Sequence, residues 1–261
     1  MDINFYKYQG TGNDFVILDN RNSEYDKLTN AQVKFLCDRK FGIGADGLML
    51  LNKHNSYDFE MVYYNADGNV GSMCGNGGRC LVKFASDAGI KKNHYSFIAT
   101  DGPHEAEIDF NGEVKLKMKD VSAVQEESDH FILNTGSPHY VKFVKEIAEV
   151  PVKDEGSKIR YSKPFSKEGI NVNFVEEIDE HTIFVRTYER GVEDETLSCG
   201  TGVTAAALVA AHNDTGFNEI DVKTTGGNLC VEFETTDNTS YFNIWLRGPA
   251  DFVFKGQIKL K

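Results

Sequence analysis

Positive charge, paired cysteine and long apolar runs are all scarce in this chain. Its 261 residues carry 28 Lys+Arg against 40 Asp+Glu, for a formal net charge of -12 and a pI near 5.1. Phosphate backbones and anionic membrane surfaces require local positive charge, so neither nucleic acid nor membrane is expected as a partner. A small zwitterion remains compatible with this balance. No apolar run approaches a membrane span, and Met1–Lys7 lacks the basic-then-apolar order of a secretory signal, so a soluble cytoplasmic protein is expected. The cysteines Cys37, Cys74, Cys80, Cys199 and Cys230 are odd in number, which argues for reduced thiols over a disulfide framework. There is no Cys-x-x-Cys, and neither the Cys74/Cys80 spacing nor the seven histidines form a zinc pattern, so no metal is expected. Gly42-Ile43-Gly44-Ala45-Asp46-Gly47 lacks the third glycine of a dinucleotide loop and precedes a strand where that loop precedes a helix.

What the chain does have is a repeat. Ser72-Met73-Cys74-Gly75-Asn76-Gly77 returns downstream as Ser198-Cys199-Gly200-Thr201-Gly202. Each cysteine ends a polar, glycine-bearing approach and opens a segment that reads as a helix. Both thiols are therefore expected at helix N-termini, where free N–H groups and the positive dipole end favour a thiolate or a bound carboxylate. No Lys follows either turn, so the phosphate cradle of a P-loop is not implied. Cys37 and Cys80 lie in the apolar phases of helices and Cys230 in a strand, where a small buried hydrophobe is the simpler reading.

In chain order, Ile3–Tyr8 and Phe15–Asp19 read as strands around the turn Gly10-Thr11-Gly12-Asn13-Asp14, which its composition alone explains as an ordinary turn. Thr29 or Asn30 caps a helix to about Arg39. The alternating strand Phe59–Tyr64 delivers Asn65, and the helix after Cys74 stops at Gly89. Asn111-Gly112 marks a hairpin between Glu105–Phe110 and Glu113–Lys119, whose lysines read as a solvated face. The polar stretch Gln125–His130 is the expected boundary. The halves are then 1–122, completed by 250–261, and 123–249. Glu155–Gly169 reads as charge and turn residues without an element. Asn171–Glu176 and Thr182–Tyr188 alternate as strands, and Val203–Ala211 is apolar all round, as in a helix buried on every side.

Gly12-Asn13-Asp14-Phe15, Tyr64-Asn65-Ala66-Asp67-Gly68, Met73-Cys74-Gly75-Asn76-Gly77, Tyr188-Glu189-Arg190-Gly191 and Ser198-Cys199-Gly200-Thr201-Gly202, in this order, resemble the diaminopimelate epimerase family. The resemblance implies an α/β fold of two pseudo-symmetric halves, each a mixed sheet curled around a central apolar helix, with the site in the cleft between and the last strand returning to the first half. It implies cofactor-independent epimerisation of diaminopimelate in lysine and peptidoglycan precursor biosynthesis, without pyridoxal phosphate, and a homodimer.

Inverting a stereocentre that bears an acidic hydrogen needs a base on one face and an acid on the other. Cysteine suits both roles, because its pKa of about 8.5 leaves thiol and thiolate accessible near neutrality. A helix N-terminus contributes only about 0.3–1 kcal/mol, less than one pK unit, so each thiol is expected to have a neighbouring base. The resemblance assigns His139 to Cys74 and Glu189 to Cys199. It gives the turn N–H groups of Gly75, Asn76, Gly200 and Thr201 the reacting carboxylate, and Asn13, Asn65, Asn171 and Arg190 the far end of the substrate. Read without it, His139 is an ordinary turn histidine and Glu189 a surface charge. The chain departs from the family pattern at Ser137, where many relatives have Asn, at Gly47, where some have Gln, and in a Gly191–Ser198 loop one residue longer than in some. Proline or hydroxyproline racemisation is the alternative within the same fold, although Asn76 stands where those relatives have His. A redox pair of Cys74 and Cys199 is a third reading.

Overall fold

A computed structural model describes residues 1–211, 215–237 and 239–260. The chain divides into two compact units. Met1–Leu116 together with the chain from Gly248 on forms the first, and Lys117–Arg247 the second.

The first unit begins with the strands β1 (Asp2–Gly10) and β2 (Asn13–Asp19), hinged where Thr11 and Gly12 take φ of 50° and 83°. Helix α1 (Asn30–Cys37) follows, with Thr29 as its N-cap in a capping box with Gln32, and Val33, Leu36 and Cys37 on its buried face. It ends at Cys37, two residues short of Arg39, with the Asp38 N–H bonded to the Phe35 carbonyl. β3 (Gly47–Asn52) and β4 (Phe59–Asn65) lead to α2 (Gly75–Asp87), which Gly89 terminates with φ 99°. β5 (His94–Ala99), β6 (Gly102–Ile108) and β7 (Val114–Lys117) complete the first pass. The first arm stops at Ile108 and the second starts at Val114, short of the expected Phe110 and Glu113, because Asp109 accepts from the N–H groups of Asn111 and Glu113, which closes the turn early and leaves Phe110 97% exposed.

The second unit contains β8 (Gln125–Glu126), β9 (Phe131–Asn134), β10 (Pro138–Phe143), α3 (Val152–Arg160), β11 (Asn171–Asp179), β12 (Thr182–Glu189), β13 (Asp194–Thr196), α4 (Gly200–Ala210), β14 (Gly216–Thr224), β15 (Gly227–Thr235) and β16 (Tyr241–Gly248). Gln125–His130 is no linker: its first residues are strand β8, paired with β9. The division falls at Leu116/Lys117 and not at 122/123, because Met118 and Val121 already bond backbone to backbone with Ile244 and Tyr241. β17 (Asp251–Lys259) pairs antiparallel with β1 and belongs to the first unit.

The two units share one topology. In the first, the order β17-β1-β2-β3-β4-β5-β6-β7 is antiparallel at every pairing except β2–β3 and β4–β5. In the second, β8-β9-β10-β11-β12-β14-β15-β16 is parallel only at β10–β11 and β12–β14, the same two steps. A parallel step needs a crossover. α1 and α3 supply the first crossover of each unit, α2 and α4 the second. Cys74 and Cys199 thus hold equivalent positions, as do Asn65 and Glu189 at the ends of β4 and β12.

α2 and α4 are the cores of their units. Cys80, Leu81, Phe84 and Ala85 of α2 are buried, and Val203 to Leu208 of α4 are buried without a polar face. α4 packs on β10, β11, β12, β14 and β15, so it is enclosed by sheet. Truncating a side chain such as Leu208 to Ala in that setting costs about 2–5 kcal/mol.

Candidate active site

In the first unit Cys74 is the N-cap of α2, with extended backbone (φ -100°, ψ 132°) and a half-buried side chain. The first N–H groups of a helix have no partner inside it, so Gly75 and Asn76 present donors beside the thiol. The Cys74 thiol lies 3.7 Å from Asn13 Oδ1, the acceptor it faces. Asn13 is oriented from its other end: its Nδ2 donates to Asp46 Oδ2 at 2.7 Å, which leaves Oδ1 turned to Cys74 and to Asn76 Nδ2 at 3.4 Å. Asp46 is held by Arg39, which also binds Asp14. Burial alone would raise the Asp14 pKa, but Arg39 and Lys7 hold its carboxyl well below the usual carboxylate range.

Behind Asn76 stands Arg79, fully buried and, among the described residues, without a carboxylate within ion-pair distance. It donates to Asn76 Oδ1 at 3.0 Å and more loosely to Thr11 Oγ1, Gly75 O and Pro249 O at 3.4–3.5 Å. Burial pulls its guanidinium below its ordinary pKa, against the opposing influence of Cys80 and Cys74. Sequence reading missed Arg79; the available signal was a single cation inside the apolar phase of α2. Asn65 ends β4 with an exposed side chain.

The second unit repeats the platform. Cys199 is the N-cap of α4 (φ -120°, ψ 112°), and Gly200 and Thr201 supply its first N–H groups. The sulfur lies 3.5 Å from Thr201 Oγ1, and that hydroxyl lies 2.9 Å from His139 Nε2. His139 is enclosed, and burial, assisted by the Arg190 charge, pushes its pKa down to about 3. Its ring contacts are with Asn173 and Thr201 of its own unit. Burial thus holds the ring in its neutral form within its own unit. Asn173, also missed in the sequence, was signalled by Asn171-x-Asn173, two amides on one face of an apolar strand.

Asn171 Oδ1 accepts from the Arg190 backbone N–H at 2.9 Å, and its Nδ2 donates to Ser137 Oγ at 3.1 Å. Arg190 Nη2 donates to the same hydroxyl at 3.3 Å, and Nη1 to Glu168 O at 2.8 Å. Ser137, a departure from the family pattern, thus serves as a shared acceptor that joins two expected site residues. Glu189 ends β12, half-buried.

The remaining thiols are buried. Burial pushes Cys37 and Cys230 up to about 12 and Cys80 higher still. Cys230 lies with Glu219 and Glu232 in a cluster of metal-type ligands, but Arg247 already bonds Glu219 at 2.8 Å and approaches Glu232 at 3.5 Å.

Known proteins are similar to this chain along nearly its whole length. The family described as diaminopimelate epimerase matches residues 5–124 and 131–253. A diaminopimelate epimerase of Flavobacterium psychrophilum is 52% identical over 254 residues, spanning 97% of this chain and 99% of that protein. One from Chlorobaculum tepidum is 42% identical over 96% of this chain and 99% of its own. Among solved structures, a Bacillus anthracis phenazine biosynthesis protein of the PhzF family aligns with a TM-score of 0.78 at 16% identity over 100% of both chains. A hydroxyproline epimerase from Agrobacterium vitis aligns at 0.69 and 14%, over 98% of this chain and 92% of that one. At such identities these structures report the fold alone. With both units matched by the family and relatives similar along nearly the whole chain, this protein is an isomerase, an epimerase, and belongs to the diaminopimelate epimerase family.

Proposed function

We propose that this protein epimerises LL-diaminopimelate to meso-diaminopimelate by a two-base mechanism that uses no cofactor. The observation that supports it most is the duplication: the same crossover in each unit carries a cysteine at the N-terminus of a buried helix. The relatives' name supplies the substrate. In this reading one thiolate removes the α-proton and becomes a thiol. The other thiol delivers its proton to the opposite face and becomes the thiolate, so no net proton is gained or lost. The N–H groups of Gly75, Asn76, Gly200 and Thr201 bind the reacting carboxylate and stabilise the carbanionic charge, an oxyanion-type role. Arg190 and Asn171, joined through Ser137, bind the distal carboxylate.

Two bases leave an isotopic signature. A thiol resting in water carries solvent hydrogen, and it is not the group that took the substrate's proton. Starting from one unlabelled stereoisomer in heavy water, product is expected to gain deuterium at the α-carbon while remaining substrate at early conversion stays unlabelled. Proline, run in parallel, is expected to be inert. Equal labelling of substrate and product would overturn the two-base reading.

A further inference from the structure

The second unit contains a hydrogen-bonded chain whose polarity is fixed at one end. Asn173 Nδ2 lies 3.1 Å from the Tyr140 carbonyl oxygen, which can only accept, so this end of the amide is the donor. The same Nδ2 lies 3.1 Å from His139 Nδ1, and Asn173 Oδ1 accepts from Thr187 Oγ1 at 2.9 Å. All three side chains are buried, and Asn173 and His139 are 0% exposed. A Cβ on Gly202 would lie 2.3 Å from Asn173 Oδ1, so the last glycine of Cys199-Gly200-Thr201-Gly202 leaves the space that the amide fills.

A nitrogen that faces an amide donor must itself be the acceptor. Nδ1 is therefore unprotonated, and a neutral ring carries its hydrogen on Nε2. That hydrogen points at Thr201 Oγ1, 2.9 Å away. With one lone pair taken by His139, the threonine hydroxyl has its own proton to offer, and Cys199 Sγ lies 3.5 Å from it. Thr135 Oγ1 fixes the Thr201 backbone by donating to its carbonyl at 2.8 Å. We propose that Asn173 is a positioning residue that locks His139 as the neutral Nε2–H tautomer, so that His139 donates to Thr201 and the Thr201 hydroxyl is aimed at Cys199 to support its thiolate. His139 then acts as a donor in the Cys199 half-site. The catalytic consequence rests on the two-thiol reading above; the tautomer does not. Protonation of the ring would set Nδ1–H against the Asn173 amide, and both burial and the Arg190 charge oppose it too.

The test uses protein with 15N-labelled histidine, the His139 signals being assigned by their absence in His139→Gln. In the wild type the ring is expected to show an acceptor Nδ1 and a protonated Nε2, with no titration between pH 8 and pH 5. Asn173→Asp replaces the donor by a carboxylate and is expected to turn the ring to Nδ1–H or imidazolium, with its titration midpoint raised into the neutral range. The pH dependence of Cys199 alkylation, read by mass spectrometry, tests the last link: Thr201→Val is expected to move its midpoint up by about one pH unit. A wild-type ring that titrates in that window or carries its hydrogen on Nδ1 overturns the proposal without reliance on any variant. An unmoved alkylation midpoint in folded Thr201→Val overturns the link to Cys199. Neither readout needs substrate, so failure to epimerise diaminopimelate would count against the proposed function while leaving these outcomes to decide the tautomer.

Discussion

Replacing Arg79 by Met separates what the buried cation does for stability from what it does for the site. Arg79 is fully buried with one close hydrogen bond, 3.0 Å to Asn76 Oδ1, and three contacts at 3.4–3.5 Å that lie beyond the strong range. Losing the close bond costs about 1.5–3 kcal/mol, because its donor is charged. Against this, an enclosed guanidinium with no carboxylate partner among the described residues carries a desolvation penalty of several kcal/mol, which a methionine of similar volume does not incur. The two terms nearly cancel, so Arg79→Met is expected to change the unfolding free energy by no more than about 2 kcal/mol. Activity has no such compensation. Arg79 orients Asn76, Asn76 Nδ2 bonds Asn13 Oδ1, and that oxygen faces the Cys74 thiol. A misplacement of about 1 Å at a reacting group can cost roughly 10²-fold in rate, and a loss of at least about tenfold in kcat is expected here. Arg79→Lys should be the less stable variant despite its charge, because an ammonium is compact, strongly hydrated and unable to span Asn76 and the backbone carbonyls together. Urea unfolding and initial epimerisation rates on the same preparations check both parts. Full activity in Arg79→Met, or a stability loss above about 4 kcal/mol, would refute the reasoning.

Gly202→Ala sets helix propensity against packing: alanine is better by at most about 1 kcal/mol, the figure for a helix interior, and Gly202 lies in the first turn of α4, where its Cβ would meet Asn173 Oδ1 at 2.3 Å. Overpacking of this kind costs about 1–3 kcal/mol, so the variant is expected to be destabilised and to lose activity, and an unchanged unfolding midpoint would contradict it. His139 gives a pH dependence of definite sign. Its pKa falls from 6.5 to about 3 on folding, so between those values the unfolded chain binds a proton that the native chain does not. Stability therefore falls as pH falls through that window, by up to about 1.4 kcal/mol per pH unit. His139→Gln should flatten the slope between pH 6.5 and about 5, above the range where carboxylates whose pKa folding lowers, such as Asp14, begin to take up protons in the unfolded chain. An identical slope in the two proteins would show that the ring does not bear this linkage.

What could be read from the sequence follows from how local each signal is. α4 was legible because a helix buried on every side is a continuous apolar run, and α1 because Thr29 and Gln32 form its cap within four residues. α3 was not legible, since Glu155-Gly156-Ser157-Lys158 reads as a turn. The reason for Gly156 lies far along the chain: a Cβ there would sit 2.4 Å from the Tyr188 Cβ. The boundary was misread for a related reason, because Gln125–His130 is polar yet its first residues pair with β9. Within the site the two thiols could be found from their repeated turns, whereas the direction of the bonds around them could not. Asn13 is oriented by Asp46, Asn76 by Arg79 and His139 by Asn173, each partner lying at least three positions away and two of them more than thirty. The duplicated topology shows why such partners are needed. One crossover brings each cysteine to a helix N-terminus, so the backbone makes the two thiols alike, and only side chains can make them differ. Cys74 faces the carbonyl oxygen of an amide, whereas Cys199 faces a hydroxyl that an imidazole has already engaged. The chemical individuality of the two halves therefore resides in polar residues on neighbouring strands and turns, which no repeat in the sequence marks.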